Sequence, residues 1–588
     1  MFKIFRYLTK KERYGCALVL LLIWAQVWLD LKMPDYMANI TMLVETPGSA
    51  LADILQAGGG MLACAFCSML AFLGASYLTA HIATGFSRTL RRAVYEKTMS
   101  FSLAELQRFS TASLINRTTN DITQVQQLVS AGLQAMLKAP FLAIWAIYKI
   151  SGKEWQWSAA TAVAVFLVML VLALVVLFVV PRFRRVQKLT DTLNRIVREQ
   201  LQGIRVMRAY HAEAYEEKRF ASANAALLQN NLTAAQIMAL VFPMMMLVGG
   251  GLTLAIYWIG AYIIAAAGMS DRLRLFSDMV VFSNYAMQVI MAFMLLNLVF
   301  LLVPRAQVSI RRLLEVLRVV PGIVDGTKHL QERPESGTLE FSAVSFRYPG
   351  AAAPVLCDIS FRVGRGRTLA IIGATGSGKT SLVQLINRTY DVSAGKILVD
   401  GQDVRDYERQ ELQSLIGYVP QKAELLAGTI AENITYGTSP GRRQPDQSAV
   451  ERAARIACCS EFIAQLPEGY EAPVAQGGTN FSGGQRQRIT IARAVAWEPE
   501  IFIFDDSFSA LDYATDQKVR QQLSDELQDA VKIIVAQRIG TIRQADEIIV
   551  LEHGRIVGRG THEELLRSCE VYQEIARSQL SREELAYD

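Results

Sequence analysis

The stretch Gly373–Thr380 reads GATGSGKT: a glycine, four free positions, then a glycine, a lysine and a hydroxyl residue. This pattern is typical of a loop that holds phosphate groups. Its glycines allow successive backbone N–H groups to converge on phosphate oxygens, Lys379 adds a positive charge, and the Thr380 hydroxyl can ligate Mg²⁺. The stretch therefore predicts a site for the triphosphate of a nucleotide.

The residues on both sides of this loop support the prediction. Thr368–Ile372 (TLAII) has the composition of a short buried strand, and Ser381–Arg388 (SLVQLINR) has apolar positions at helical spacing. A strand, a glycine-rich loop and a helix in this order disfavour the alternative, a glycine-rich turn without a ligand. The predicted nucleotide-binding residues of this stretch are Gly373, Thr375, Gly376, Ser377, Gly378, Lys379, Thr380 and Ser381.

The composition indicates that part of the chain lies in a membrane. Of the 588 residues, 52% are hydrophobic, which is more than a soluble globular protein alone would need. A net charge of +6 is too diffuse to indicate a nucleic-acid partner. Cys64 and Cys67 have CxxC spacing, but they lie in an apolar segment, where packing is favoured over a metal or redox site.

Six apolar segments are long enough to span a bilayer, and the first is expected to remain as an anchor. They are residues 14–33, 56–80, 130–150, 157–180, 236–265 and 276–303. Basic residues precede the first segment, whereas residues 34–55 contain no Lys or Arg, so both termini are predicted to be cytoplasmic. The chain is thus predicted to be a multi-pass protein of the cell membrane. Its basic connections, 81–129 and 181–235, are predicted to be long cytoplasmic helices.

The sequence pattern changes after the last apolar segment. From residue 337 onwards strand and helix patterns alternate, as expected for an α/β nucleotide-binding domain. We assign residues 1–318 to a transmembrane domain, 319–336 to a linker and 337–588 to the nucleotide-binding domain. The predicted fold is a membrane α-helical domain, with six transmembrane helices and long cytoplasmic extensions, followed by an α/β P-loop ATPase domain.

Three further motifs in the second half carry a resemblance to a known family. Ile501–Asp506 (IFIFDD) is an apolar strand that ends in acids, and its Asp505 can hold the Mg²⁺ shell. FSGGQRQR (Phe481–Arg488) comes shortly before this strand, and SALD (Ser509–Asp512) comes just after it. In this order the motifs resemble the nucleotide-binding domain of ATP-binding-cassette transporters. The whole chain resembles a half-transporter of the exporter type.

The resemblance implies roles for residues outside the phosphate loop, with ATP and Mg²⁺ as cofactors. Tyr348 would stack on adenine, and Gln421 would contact Mg²⁺ together with Thr380 and Asp505. The signature residues Ser482, Gly483, Gly484 and Gln485 would close over the γ-phosphate bound by the other domain of a dimer, and Asp512 belongs to the same half-site.

Two segments of the membrane half resemble the coupling segments of the family. They are FSLAEL near Phe101 and AEAYEEKRF near Ala212. The resemblance implies that both dock on nucleotide-binding domains, one of them on the partner's.

Two positions depart from the family pattern. The family places a glutamate, its general base, directly after the aspartate of the strand, but this chain has Asp506 there. It places a histidine where this chain has Gln537. An aspartate is one methylene shorter, and an amide can donate a hydrogen bond but cannot take up and pass on a proton, so hydrolysis at this site is predicted to be impaired. The pattern resembles the degenerate-site subunit of a heterodimeric multidrug-type exporter, whose partner supplies Glu and His; a tolerated variation in a homodimer is the alternative.

The substrate path is predicted from polar and sulfur-containing residues in the apolar segments. The methionines Met244, Met245, Met246, Met287, Met291 and Met294 would give a flexible apolar lining, unless they serve only packing. Asn284 and Gln288 lie one turn apart, and polar groups at membrane depth usually face a cavity or another helix. Asp30 and Lys32 could pair with each other or contact a cationic substrate.

The predicted substrates are hydrophobic, drug-like small molecules exported across a lipid bilayer. A lipid or peptide translocator is one alternative, and an ATP-gated regulatory or channel subunit that does not pump is another. The intact signature and Asp512 favour pumping.

Overall fold

The computed structural model describes residues 2–46, 50–151, 153–329, 336–437 and 444–579. The chain divides into two compact units. The first unit consists of Met1–Met99 and Thr111–Val319, and the second unit consists of Ser100–Ser110 and Val320–Asp588. Residues 330–335 of the predicted linker and residues 580–588 of the predicted nucleotide-binding domain lie outside the described residues.

The first unit is helical. In chain order the helices up to residue 317 are α1 (Lys10–Glu45), α2 (Leu51–Met99), α3 (Leu103–Arg108), α4 (Thr111–Ile150), α5 (Trp155–Gln202), α6 (Ile204–Ala209), α7 (Glu213–Ala239), α8 (Val241–Ala266) and α9 (Met269–Leu317). Helix α3 belongs to the second unit. Two π-helical turns, Arg117–Asp121 and Leu128–Gly132, interrupt the regular hydrogen bonding of α4.

Six helical spans among the described residues are long and apolar enough to cross a membrane, which confirms the six predicted segments. Helix α2 has 49 residues and α5 has 48. At 1.5 Å per residue each is roughly 70 Å long, whereas the hydrocarbon core of a bilayer is about 30 Å thick. Both helices therefore extend far beyond the bilayer. The stretches predicted to be long helices, residues 81–129 and 181–235, are helical but are broken after Met99 and Gln202.

Two ion pairs and a tyrosine hydroxyl link α1, α4 and α9. Asp30 of α1 pairs with Lys138 of α4 at 3.3 Å, and Asp35 of α1 pairs with Lys149 of α4 at 2.7 Å. The Tyr285 hydroxyl of α9 donates to Asp35 at 2.5 Å. These five residues form what we call the polar seam. Each side chain bonds to a residue on another helix. The seam therefore pairs charges that would be costly to leave unpaired in an apolar span.

The contacts of the polar seam correct the expectation that Asp30 pairs with Lys32. Asp30 pairs with Lys138 and not with Lys32, whose ammonium lies 5.5 Å from the ring centroid of Trp28. Residues two apart on a helix do not face each other, so Asp30 and Lys32 cannot easily meet. The Asn284 side chain donates to the backbone of its own helix, to the Val280 carbonyl at 3.0 Å.

The second unit contains two main sheets. Its strands are β1 (Leu339–Phe346), β2 (Leu356–Val363), β3 (Thr368–Ile372), β4 (Ala394–Val399), β5 (Gln402–Asp403), β6 (Ile416–Val419), β7 (Gly428–Thr429), β8 (Pro473–Val474), β9 (Ile501–Asp505), β10 (Val531–Val535), β11 (Glu547–Glu552) and β12 (Arg555–Gly560). The larger sheet has the order β12-β11-β3-β10-β9-β6, in which all neighbours are parallel except β11 and β12. An antiparallel sheet has the order β2-β1-β4-β5, and β7 pairs with β8.

The helices of the second unit cover the two faces of the larger sheet. After the strand β3 they are α10 (Lys379–Ile386), α11 (Arg409–Ser414), α12 (Ile430–Ile434), α13 (Gln447–Ile456), α14 (Ser460–Ile463), α15 (Gly483–Ala496), α16 (Tyr513–Glu526), α17 (Ile539–Ile542), α18 (His562–Ser568) and α19 (Glu570–Gln579). Side chains of β9 alternate between two buried clusters: Phe502 and Phe504 belong to one, Ile501 and Ile503 to the other. Burial on both faces explains why IFIF is continuously apolar.

The short helix α3 is part of the second unit although its chain neighbours on both sides are not. Its Leu103 and Ala104 pack against the buried cluster that contains β1. Ser102 and Glu105 form a capping box at its N-terminus, and the Gly322 N–H donates to Glu105 at 3.1 Å. The segment near Phe101 thus packs within the second unit of its own chain.

Backbone hydrogen bonds hold the segment after Val320 in the second unit. The Gly326 N–H donates to the Tyr407 carbonyl at 3.0 Å, and the Lys328 N–H donates to the Asp406 carbonyl at 3.0 Å. A Cβ atom at Gly326 would lie 1.9 Å from the Asp406 oxygen. The close approach of the two backbones therefore requires glycine at this position.

Candidate nucleotide site

The phosphate loop connects the end of β3 to the start of α10. Gly376 and Gly378 have φ angles of 86° and 102°, in the region that favours glycine. A Cβ atom at Gly378 would also lie 2.8 Å from Leu356 Cδ2. The strand, loop and helix thus occur in the predicted order, and the loop ends where the N–H groups of a helix begin.

Lys379 is buried beneath this loop, with 8% of its surface exposed. Its ammonium donates to the carbonyls of Gly373 and Ala374, each at 2.8 Å. Burial lowers the pKa of Lys379, and the nearby carboxylates of Asp505 and Asp506 partly oppose that shift. The ammonium therefore lies where it can exchange loop carbonyls for phosphate oxygens.

Asp505 lies at the end of β9 and is 2% exposed. Its carboxylate accepts hydrogen bonds from the Thr380 hydroxyl at 3.2 Å and from the Tyr418 hydroxyl at 3.3 Å. Burial raises the pKa of Asp505, and these two donors act against that rise. Thr380, Asp505 and the amide oxygen of Gln421 offer the hard oxygen ligands that Mg²⁺ prefers, so the donor set fits this metal.

Asp506 follows β9 and receives two amide donors. Gln421 Nε2 donates to Asp506 Oδ2 at 3.2 Å, and Gln537 Nε2 donates to the same oxygen at 3.3 Å. Burial raises the pKa of Asp506, with the Gln421 hydrogen bond and the charge of Lys379 opposing the shift. We call these three residues the amide clamp. One carboxylate oxygen of Asp506 is thus already an acceptor for two neutral donors.

A cavity of about 290 Å³ lies among these groups. It is lined by Val355, Thr375, Gly376, Gly378, Lys379, Thr380, Ser381, Gln421, Asp505, Asp506, Val535 and Gln537. The structure therefore brings together most of the residues predicted from the phosphate loop, β9 and the two departing positions. Val355 and Val535 were not predicted, because neither carries a polar group that marks a site in a sequence.

Comparisons with known proteins agree with this architecture. Residues 15–293 match the family described as the ABC transporter transmembrane region, and residues 356–509 match the family described as ABC transporter. An uncharacterized ABC transporter ATP-binding protein of Mycobacterium tuberculosis is 39% identical over 549 residues, which cover 92% of this chain and 93% of that protein. The chain belongs to the ABC transporter family.

Two other proteins show how far the likeness extends. An ATP-dependent lipid A-core flippase of Syntrophus aciditrophicus is 32% identical over 500 residues, 84% of this chain and 81% of that protein. The solved structure of a bacterial Atm1-family ABC exporter with ATP bound has a TM-score of 0.74, at 24% identity, and the match covers 97% of this chain and 100% of that one. The transporter is therefore a multi-pass membrane protein with an exporter fold and a domain that binds ATP and couples its hydrolysis to transport.

The signature residues of the transporter cap a different helix. Ser482 is the N-cap of α15: its hydroxyl accepts from the Gln485 N–H at 3.2 Å, and the Gln485 side chain accepts from the Ser482 N–H at 2.9 Å. Ser482 and Gly483 are exposed, and neither lines the cavity described above. The N-terminus of α15 is therefore exposed in the part of the chain that the structure describes.

Two other predicted site residues, Asp512 and Tyr348, do not line this cavity. Asp512 caps α16 by accepting from the Thr515 N–H at 3.0 Å, and this bond lowers the pKa of Asp512. The Tyr348 hydroxyl lies 2.7 Å from the Ser381 hydroxyl, and its ring meets the Tyr390 ring edge to face. The aromatic ring is thus placed beside the first turn of α10.

Proposed function

We propose that this transporter is one half of a heterodimeric exporter and that its own ATP site hydrolyses slowly. The amide clamp carries the proposal. A general base must accept a proton from water, but Asp506 Oδ2 already accepts two amide hydrogen bonds, and neither Gln421 nor Gln537 can relay a proton. A positional error of roughly 1 Å in such a group can cost about 10²-fold in rate.

ATP binding at this site does not depend on Asp506 or Gln537. Lys379 and the phosphate loop hold the triphosphate, and Tyr348 stacks on adenine. Thr380, Asp505 and Gln421 would hold Mg²⁺, which would supply charge stabilisation for the phosphates. The site in this chain accordingly binds ATP and retains it, while hydrolysis takes place elsewhere in the complex.

The signature supports a second, intact role. Ser482, Gly483, Gly484 and Gln485 keep the family sequence, and the N-terminus of α15 is exposed. Together with Asp512, these residues complete the hydrolytic site of a partner chain that supplies the family's glutamate and histidine. A purely regulatory subunit would not need this half-site.

Apolar side chains around α6 fit a contact with the partner. Val206, Tyr210 and Tyr215 are all more than half exposed. The segment near Phe101 already packs within this chain's second unit. We therefore propose that the segment near Ala212 contacts the partner's nucleotide-binding domain.

The domain organisation of the proposal is that of the sequence analysis. Residues 1–318 form the membrane domain, residues 337–588 form the ATPase domain, and both termini lie in the cytoplasm.

The cargo is a hydrophobic or drug-like compound. Met244, Met246 and Met291 are exposed in this chain, which supports an adaptable apolar path. Lipid translocation is the second candidate, because one relative of this chain is an ATP-dependent lipid A-core flippase.

ATPase measurements on the purified chain, with and without its partner, test the heterodimer. We expect the chain alone to show turnover at least about 10-fold below that of the mixed complex, because it lacks the consensus base. Binding of a fluorescent ATP analogue by the isolated chain serves as the control for folding. Equal turnover of the isolated chain and the complex would contradict obligate pairing.

A further inference from the structure

Tyr418 touches the carboxylate that we assign to Mg²⁺, although nothing in the sequence marks it. It lies on β6, which pairs in parallel with β9, and Tyr418 is in register with Ile503. Asp505 follows Ile503 by two residues and so points to the same face of the sheet. The register thus brings the Tyr418 hydroxyl to 3.3 Å from Asp505 Oδ2.

Thr380 and Tyr418 donate hydrogen bonds to different oxygens of the Asp505 carboxylate. Thr380 donates to Oδ1 at 3.2 Å, whereas Tyr418 donates to Oδ2. Asp505 is 2% exposed, so water has little access to its carboxylate. Two fixed donors on different oxygens define the rotation of the carboxylate, and with it the direction in which a lone pair faces the metal.

Tyr418 is half-buried and packs against the buried cluster that contains β1. It also lines a separate cavity of about 340 Å³, together with Gln413, Tyr436, Arg493 and Trp497. Its hydroxyl joins β6 to the carboxylate at the end of β9 through the hydrogen bond to Asp505.

We propose that Tyr418 is a positioning residue for Mg²⁺, acting through Asp505. The proposal rests on the metal site of the proposed function. Loss of the hydroxyl leaves Asp505 with one donor and a carboxylate that can rotate. Removal of such supporting hydrogen bonds typically weakens metal binding by about 10–100-fold.

Tyr418→Phe tests the proposal in the full-length protein in its native assembly. Mn²⁺ replaces Mg²⁺, and its binding is titrated by electron paramagnetic resonance with a non-hydrolysable ATP analogue present. We expect the Mn²⁺ affinity of this chain's site to fall by about 10-fold. Binding of the same analogue in EDTA should stay within twofold, because Tyr418 does not contact the nucleotide-binding loop.

Two further variants make the result decisive. Tyr436→Phe removes a hydroxyl from the same 340 Å³ cavity without touching Asp505, so its Mn²⁺ affinity should equal that of the unmodified protein. Asp505→Asn replaces a charged ligand by a neutral amide and should weaken Mn²⁺ binding more than Tyr418→Phe does. If Asp505→Asn weakens binding and Tyr418→Phe does not, the role of Tyr418 is refuted and the metal site stands. If neither weakens it, both are refuted.

Discussion

Asp506 has a left-handed backbone, with φ of 50°, directly after a strand that is buried along its whole length. Such a conformation is uncommon for residues other than glycine, asparagine and aspartate. It turns the chain at the point where the carboxylate must reach toward the phosphate loop. Gln421 and Gln537 then hold the side chain from two different elements.

Asp506→Glu combined with Gln537→His should increase hydrolysis at this site by about 10- to 100-fold, because the longer carboxylate reaches water and the imidazole can take part in proton transfer. The measurement is the ATPase rate of the complex, with the partner's base disabled beforehand. Gln537→Asn is the matched control, since it shortens the amide without adding a titratable group. No increase above the disabled background would show that the impairment extends beyond these two residues.

Gly326→Ala should destabilise the second unit by about 1–3 kcal/mol, because the added Cβ overlaps the Asp406 carbonyl and forces the two backbones apart. Thermal unfolding of the full-length protein measures the effect. Gly364→Ala is the control: nothing lies within 4 Å of its Cβ position, so a change of no more than about 0.5 kcal/mol is expected. Equal effects of both substitutions would refute the close contact at Gly326.

The phosphate loop could be predicted at the residue scale because its pattern is local. Gly373–Thr380 and the strand and helix beside it are contiguous, so their spacing alone specifies the geometry. Tyr418 could not be predicted, because its contact with Asp505 depends on the parallel pairing of β6 with β9. That pairing joins residues more than 80 positions apart.

Among the elements, the polar seam fastens α1 to α4 and α9. Lys138 and Asp30 are 27% and 21% exposed at their side chains, so solvent screens the pair only in part. The six spans were predicted from their apolar runs, but the seam was not. Sequence spacing gives the face of a helix on which a charge lies, whereas the facing helix depends on the packing of the bundle.

Lys138→Met should lower the free energy of unfolding by about 1–3 kcal/mol, because it leaves the Asp30 carboxylate without its ion-pair partner. Thermal unfolding in a defined detergent measures the loss. The double variant Asp30→Asn with Lys138→Met should lose less than Lys138→Met alone, since no unpaired charge remains. If the loss of the double variant equals the sum of the losses of Lys138→Met and Asp30→Asn alone, the two side chains do not interact.

For the whole molecule, substitutions in the phosphate loop and in the signature of the second unit should have different effects on ATP turnover. Lys379→Ala removes one charge from the site that we propose mainly holds ATP, so the complex should lose part of its ATP affinity and keep measurable turnover. Ser482→Arg places a large cation where, in the proposed heterodimer, the partner's ATP is covered, so turnover should fall by at least about 100-fold. Both are measured as ATPase and transport by the complex, with each substitution in this chain only.

Ser482→Ala provides the control for this comparison, because it removes the cap of α15 without adding bulk. Its cost in stability should be about 1 kcal/mol. Equal losses from Lys379→Ala and Ser482→Arg would indicate two equivalent sites. A larger loss from Lys379→Ala would reverse the assignment of the hydrolytic site.

The placement of α3 has a consequence for synthesis on the ribosome. The chain leaves the first unit at Ser100, contributes this helix to the second unit and returns to the first at Thr111. The remainder of the second unit begins about 210 residues later, at Val320. At 5–20 residues per second the ribosome needs roughly 10–40 s for that stretch. Leu103 and Ala104 therefore stay in contact with solvent until the strands against which they pack have been synthesised. During this time the capping box stabilises the helix locally.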